Sequence, residues 1–256
     1  MNIPDQVYNE ALKKVIEANP KKTLEIAEVK TQIIDSVLGF AKGTHPKTYN
    51  VLSIGCNLVT MGLAQRGHNV KAILCTDVCE DVYTSTFKDL NITIDKGEDG
   101  LEREVANGNT YDVVLGLDQI LTYFNTEEEQ KQFIGMISKV TKGRFITSLV
   151  DYKNQSSQSR MSDLPLTINI NGKQNLFINH RSWGLMDRQT YMNHWLHLEE
   201  SKLVNSCTTP RRTMFFKQLA KFSSDAGSKG FTIHKSVFYK PLINKTFEHV
   251  ISINYE

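Results

Sequence analysis

Residues 49–77 constrain the fold of this chain more than any other stretch. Val51-Leu52-Ser53-Ile54 is a short apolar run that ends at Gly55, with Cys56 and Asn57 after it. Leu58, Met61, Leu63 and Ala64 follow as a helical apolar set that Gly67 closes. Val70-Lys71-Ala72-Ile73-Leu74 is a second strand pattern, and Asp77 lies just past it. Strand, glycine turn, helix and strand in that order predict a βαβ unit. A helix N-terminus behind a glycine presents backbone N–H groups to a polar or anionic ligand, and glycine lets that ligand approach closely. An acid after the second strand sits at the carboxyl edge of the sheet, where it accepts hydrogen bonds from ribose hydroxyls. Asp77 lies 22 residues beyond Gly55, close to the roughly 20-residue offset of nucleotide-binding units.

More elements of an α/β sheet follow. Tyr111-Asp112-Val113-Val114-Leu115-Gly116-Leu117-Asp118-Gln119 reads as a strand with a polar end. Thr126 with three glutamates precedes a helix carrying Phe133, Ile134, Ile137 and Val140, and Gly143–Leu149 reads as the next strand. Residues 210–226 read as a helix starting at Pro210, and residues 232–239 and 248–254 as a final strand pair about a turn at 241–245.

This succession resembles the class I S-adenosylmethionine-dependent methyltransferases, well over residues 45–151 and more weakly over 210–256. The resemblance implies an α/β Rossmann-like fold. Its sheet would be seven-stranded and mostly parallel, with helices on both faces, the last strand antiparallel, and an inserted hairpin-and-helix lid. It implies S-adenosylmethionine as cofactor. Gly55, Cys56 and Asn57 would hold the methionine end, and Asp77 with Val78 beside it the ribose. Glu98 or Asp99 would meet the adenine, and Asp118 and Gln119 would floor the pocket near the methyl group. The glycine loop departs from the family pattern. Ser53 stands where an acid is usual and Asn57 where a second glycine is usual, and no third glycine follows. Those departures keep open a second reading, an inactive member of the fold that binds an anionic partner. A dehydrogenase on a similar unit meets the same glycine deficit.

Four segments organise the chain: N-terminal helices over 1–46, the cofactor half over 47–151, an insertion over 152–209, and a completing helix and strand pair over 210–256. Residues 5–19 read as a helix stopped by Asn19-Pro20, and 23–40 as a second helix capped by Thr23. The insertion alternates Leu164, Leu166, Ile168 and Ile170 with polar residues, turns at Asn171-Gly172 and resumes at Leu176-Phe177-Ile178, which predicts a hairpin. Its second half holds Arg181, Trp183, Tyr191, His194, Trp195 and His197. Tyr123, Arg181, Trp183 and His194 are the candidate acceptor residues, since aromatic and cationic groups together suit a flat or anionic molecule. On a helix, His194 and His197 would share a face, but no third ligand accompanies them and no metal site is expected.

The net charge of +2 hides an asymmetry. Residues 152–256 carry fourteen basic against seven acidic side chains, which points to an anionic partner such as a nucleic acid or a phosphorylated metabolite. Cys56, Cys75, Cys79 and Cys207 form no zinc or disulfide pattern and read as reduced thiols of a cytoplasmic protein. No apolar run approaches a membrane span, and residues 1–14 lack the pattern of a secretory signal.

Overall fold

In the central sheet, β1 (Asn50–Ile54), β2 (Asn69–Leu74), β3 (Ile92–Lys96), β4 (Tyr111–Gly116) and β5 (Thr141–Leu149) run parallel, in the order 3-2-1-4-5. Two further strands, β11 (Gly230–Tyr239) and β12 (Glu248–Asn254), complete it. β12 lies antiparallel between β5 and β11, as the resemblance implies. The computed structural model describes residues 6–38, 48–55, 57–74, 80, 84, 89–97, 99–152, 160–162, 165–184, 189–239 and 248–256. Cys56, Cys75, Asp77, Val78, Cys79, Glu98 and the turn at 241–245 lie outside the described residues, as does most of the helix expected over 81–90.

Alternation along the strands builds a core on each face. Val51, Val113, Leu115 and Val250 pack against Ile34 and Val37 of α2 (Pro20–Leu38) and Val59 and Leu63 of α3 (Leu58–Gln65). Their neighbours Leu52, Val114 and Ile251 face the other way. That side is covered by α4 (Gly100–Ala106), α5 (Glu127–Val140) and α6 (Phe216–Asp225), through Leu101, Phe133, Ile137, Leu219 and Phe222. α3 is buried from Leu58 to Ala64 because it is covered on several sides. Its remaining apolar residues, Leu58 and Met61, meet Val7, Ala11 and Leu12 of α1 (Gln6–Ala18).

Local signals set most helix ends. Thr126 accepts from the Glu129 N–H while the Glu129 carboxylate accepts from the Thr126 N–H, a reciprocal capping box. Gly67 ends α3 at φ +83. α2 starts earlier than the sequence reading placed it. Pro20 is its first residue and Asn19 its cap, accepting from the Lys22 N–H at 3.1 Å. The Asn19-Pro20 pair that stops α1 therefore also opens α2.

The insertion is a second sheet of β6 (Arg160–Ser162), β7 (Leu166–Ile170), β8 (Lys173–Trp183), β9 (Thr190–Glu199) and β10 (Lys202–Arg212), all antiparallel. The expected hairpin is β7–β8, and Asn171 and Gly172 both have positive φ, as its two-residue turn requires. Two sequence expectations change here. His194 and His197 lie on a strand, so their odd spacing puts them on opposite faces. The helix expected from Pro210 begins only at Phe216, because Pro210, Arg211 and Arg212 pair with Met192, Tyr191 and Thr190 at the edge of the second sheet. The boundary drawn at residue 209 thus falls inside β10.

Candidate functional site

The site is built where β4 leaves the sheet. Asp118 and Gln119 lie just past its last residue, Gly116, at φ 56 and φ 60, two consecutive non-glycine residues in the left-handed region. Such a conformation costs about 1–2 kcal/mol per residue and persists where surrounding contacts enforce it. Gln119 is enforced on both sides. Its Nε2 donates to Glu248 Oε1 at 2.7 Å, and its Oε1 accepts from the Tyr152 hydroxyl at 2.5 Å. The Thr122 N–H and hydroxyl both donate to the Gln119 carbonyl, which begins a short 3-10 turn over Ile120–Thr122. Glu248, the first residue of β12, also accepts from Ser148 Oγ at 2.5 Å. Tyr152 reaches onward to the Tyr191 hydroxyl at 3.2 Å. The chain Ser148–Glu248–Gln119–Tyr152–Tyr191 thus links β5, β12, β4 and β9 by buried hydrogen bonds.

Opposite this floor stands the inner face of the second sheet. Strand register arranges it in cross-strand rows: Asn179–Trp195–Cys207, then Arg181–Asn193–Thr209, then Trp183–Tyr191–Arg211. Asn179 Nδ2 donates to Asn193 Oδ1 at 3.1 Å, and the Arg211 guanidinium lies 3.7 Å from the centre of the Tyr123 ring. Arg181 is 2% exposed and Arg211 7% exposed, so both cations belong to the interior of the site rather than to a basic surface. Floor and roof enclose a cavity of about 20 Å³ lined by Asp118, Gln119, Glu248, Asn179, Arg181 and Asn193, with Tyr123, Tyr191, Trp195 and Arg211 at its sides. A wider cleft of about 460 Å³ lies beyond Tyr191 and Arg211, which line both spaces.

Electrostatics follow from enclosure. Burial first, and then the Asp118 carboxylate, push the Glu248 carboxyl up to about 8, while hydrogen bonds from Ser148 and Gln119 and the charge of Arg181 pull it down. Burial drives the Tyr152 hydroxyl upward as well, so it stays a neutral donor to Gln119.

The glycine turn has its own geometry. Gly55 has φ +87, which explains the residue type, and its N–H donates to Ile73 O at 3.0 Å. Asn57 is extended at φ −135, so no glycine is needed there. Its side chain turns inward, accepts from the Thr60 N–H and caps α3. The same amide donates to Ser53 Oγ, which lies 2.6 Å from the Thr60 hydroxyl. Two of the departures from the family pattern, Ser53 and Asn57, are therefore bonded to each other.

The structure brings Asp118, Gln119, Tyr123 and Arg181 around one cavity. Trp183 does not line it and packs instead with Tyr152 and Tyr191. His194 lies on the outer face of the second sheet, bonded to Ser182 and Thr208 and stacked on His180, away from the cavity. Asp99 is exposed and paired with Arg103. No group of three potential metal ligands occurs among the described residues. Sequence reading missed Glu248, Tyr152, Asn179 and Asn193. The one signal for Glu248 was an acid opening a strand whose Val250, Ile251 and Ile253 belong to the core.

No family model matches this sequence, and no curated protein matches it. Solved structures do match. The CcbJ methyltransferase of Streptomyces caelestis superposes with a TM-score of 0.63 at 14% identity, over 88% of both chains. CalS10, an amino pentose methyltransferase of Micromonospora echinaspora solved with S-adenosylmethionine bound, matches at 0.60 and 12% identity over 98% of both chains. The sugar N-methyltransferase KedS8 of a Streptoalloteichus species matches at 0.60 and 11% identity, over 94% of this chain and 92% of that one. Coverage of 98% takes in the second sheet as well as the central one. This chain has the fold of the class I S-adenosylmethionine-dependent methyltransferases.

Proposed function

We propose that this protein is an S-adenosylmethionine-dependent methyltransferase whose acceptor is a small polar molecule. The observation that carries this reading is the enclosed polar cavity between Asp118-Gln119 and the inner face of the second sheet, at the carboxyl edge where open α/β sheets bind ligands. The glycine turn fits the cofactor. Gly55 has no side chain and Asn57 folds its own into the protein, so neither residue puts bulk in the way of a ligand. The backbone there would hold the methionine end, with Asp77 and Val78 at the ribose and Glu98 or Asp99 at the adenine. When bound, the cofactor supplies a methyl group already activated by its sulfonium, so the protein has to align the acceptor and exclude water.

The acceptor reading rests on the roof. Asn179, Asn193, Arg181 and Arg211 offer hydrogen bonds, while Tyr191 and Trp195 offer flat apolar faces. That mixture suits a ring bearing polar substituents, and two of the similar structures are described as sugar or amino pentose methyltransferases. The two cations nearest the site are buried within it rather than displayed to a nucleic-acid backbone, and the space of about 20 Å³ admits only the reacting group of an acceptor whose body would lie in the cleft of about 460 Å³ beyond Tyr191 and Arg211. Among the described residues no helix is long and apolar enough to cross a membrane.

Calorimetry with S-adenosylhomocysteine, in parallel with Asp77→Ala, tests the cofactor. Micromolar binding lost in the variant supports the reading, and absence of both heat and thermal shift at millimolar ligand leaves the inactive binding protein. A methyl-transfer screen over amino sugars and hydroxylated small molecules then addresses the acceptor.

A further inference from the structure

Methylation of an amine or hydroxyl releases a proton, and the site must place it. The lone pair of the acceptor atom forms a bond to the methyl carbon, and the carbon–sulfur bond electrons return to sulfur as a neutral thioether. The proton of the acceptor N–H or O–H is left over. In an enclosed cavity water is a poor recipient, so a protein base within reach is needed.

We propose that the Glu248 carboxylate takes the proton of the acceptor during methyl transfer. This inference rests on the methyltransferase reading and names the base of that site. Three observations single out Glu248. It lines the cavity directly, together with Asp118 and Gln119. It is fully buried, so its proton exchanges through the cavity and its hydrogen-bonded neighbours rather than through open solvent. Its orientation is fixed, with one oxygen accepting from Gln119 and the other from Ser148, and each oxygen keeps a second lone pair for an acceptor proton. The groups facing it are Asp118 from β4, Tyr152 beyond β5, Arg181 from β8, Tyr191 from β9, Arg211 from β10 and Tyr123. A carboxyl pushed up to about 8 is matched to a base working near neutral pH, where an ordinary exposed carboxylate is too weak. Arg181, across the cavity, stabilises the ionised form before the transfer.

The Tyr152 hydroxyl is the other polar group of the network. Burial holds it protonated, and it already donates to Gln119, so it positions Gln119 and does not accept the proton.

Infrared difference titration of the full chain against Glu248→Gln reads this carboxyl without an identified acceptor. The expected result is a protonated carboxyl band at pH 7 that disappears with a midpoint near pH 8 and is absent from the variant. A midpoint in the ordinary carboxylate range overturns the proposal. Ser148→Ala removes a bond that favours the ionised form, so the midpoint should move to higher pH. For an acceptor from the screen, the rising limb of the pH–rate profile should move with that midpoint. Glu248→Gln should lower kcat about 100-fold or more with binding of S-adenosylhomocysteine retained. An unchanged profile in Ser148→Ala, or an unchanged kcat in Glu248→Gln, overturns the proposal. Failure of S-adenosylhomocysteine to bind the wild type would instead overturn the methyltransferase reading and leave the titration result standing.

Discussion

Asn57 Nδ2 donates to Ser53 Oγ at 3.0 Å, and both side chains are buried. These are two of the three departures of the glycine loop from its family pattern, the third being the missing last glycine. One hydrogen bond accounts for both, since an inward Asn57 needs a partner and Ser53 is the hydroxyl below it. Asn57→Ala removes the cap of α3 and the partner of Ser53, and should cost about 1–2 kcal/mol in chemical denaturation. Asn57→Gly should cost less than the alanine variant, because glycine is a tolerated cap. The affinity for S-adenosylhomocysteine should change little in either, because the Asn57 side chain points into the protein.

The pH dependence of stability should report Glu248. Its folded-state value lies above its unfolded value of 4.5, so the folded protein holds the proton to higher pH. Between about 4.5 and 8 the folded state binds more protons than the unfolded chain, and stability falls as pH rises through that window. The contribution is fully present below 4.5 and lost above 8. Thermal melts of wild type and Glu248→Gln across pH 4–9 should show the wild type losing ground to the variant as pH rises. A constant difference would refute it.

Helices α2 and α3 touch at Gly62. A Cβ there would lie 2.0 Å from Thr31 Oγ1 and 2.9 Å from the Ala27 carbonyl oxygen. Gly62→Ala should therefore destabilise the protein by about 1–3 kcal/mol despite its better helix propensity. Adding Thr31→Ala should recover only part of that loss, because the backbone oxygen of Ala27 stays in place. Denaturation midpoints of the two single variants and the double variant measure the coupling.

Arg211 joins the roof of the site to its floor through the Tyr123 ring. Lysine keeps the charge but lacks the planar group that stacks there, so Arg211→Lys should cost about 1 kcal/mol of stability. It should weaken turnover of an acceptor that S-adenosylhomocysteine binding does not register. Equal loss of both would place Arg211 at the cofactor instead.

Period-two alternation was present in residues 190–199 and decides their structure. Tyr191, Asn193, Trp195 and His197 turn inward, while Met192 and His194 face out. The aromatic and histidine residues there suggest a pocket; Tyr191, Asn193 and Trp195 line a cavity, whereas His194 lies on the outer face. Pro210-Arg211-Arg212 likewise carries helix-start signals that strand pairing with β9 overrides. In both places a cross-strand partner, absent from any local window, determined the outcome.

The sequence by itself determined the order of the parallel strands β1, β2, β4 and β5, the two-residue turn at Asn171-Gly172, the capping box at Thr126 and the polar end of β4. Each of these depends on residues within one or two turns of one another, so periodicity and capping chemistry suffice to encode them. Only the tertiary structure decided that Gln119 meets Glu248, 129 residues away, or that Arg181 and Arg211 are enclosed rather than exposed. Those relationships depend on which strands become neighbours and on how much water the second sheet excludes. Burial of that kind turns a surface-type acid into a carboxyl that holds its proton to about pH 8.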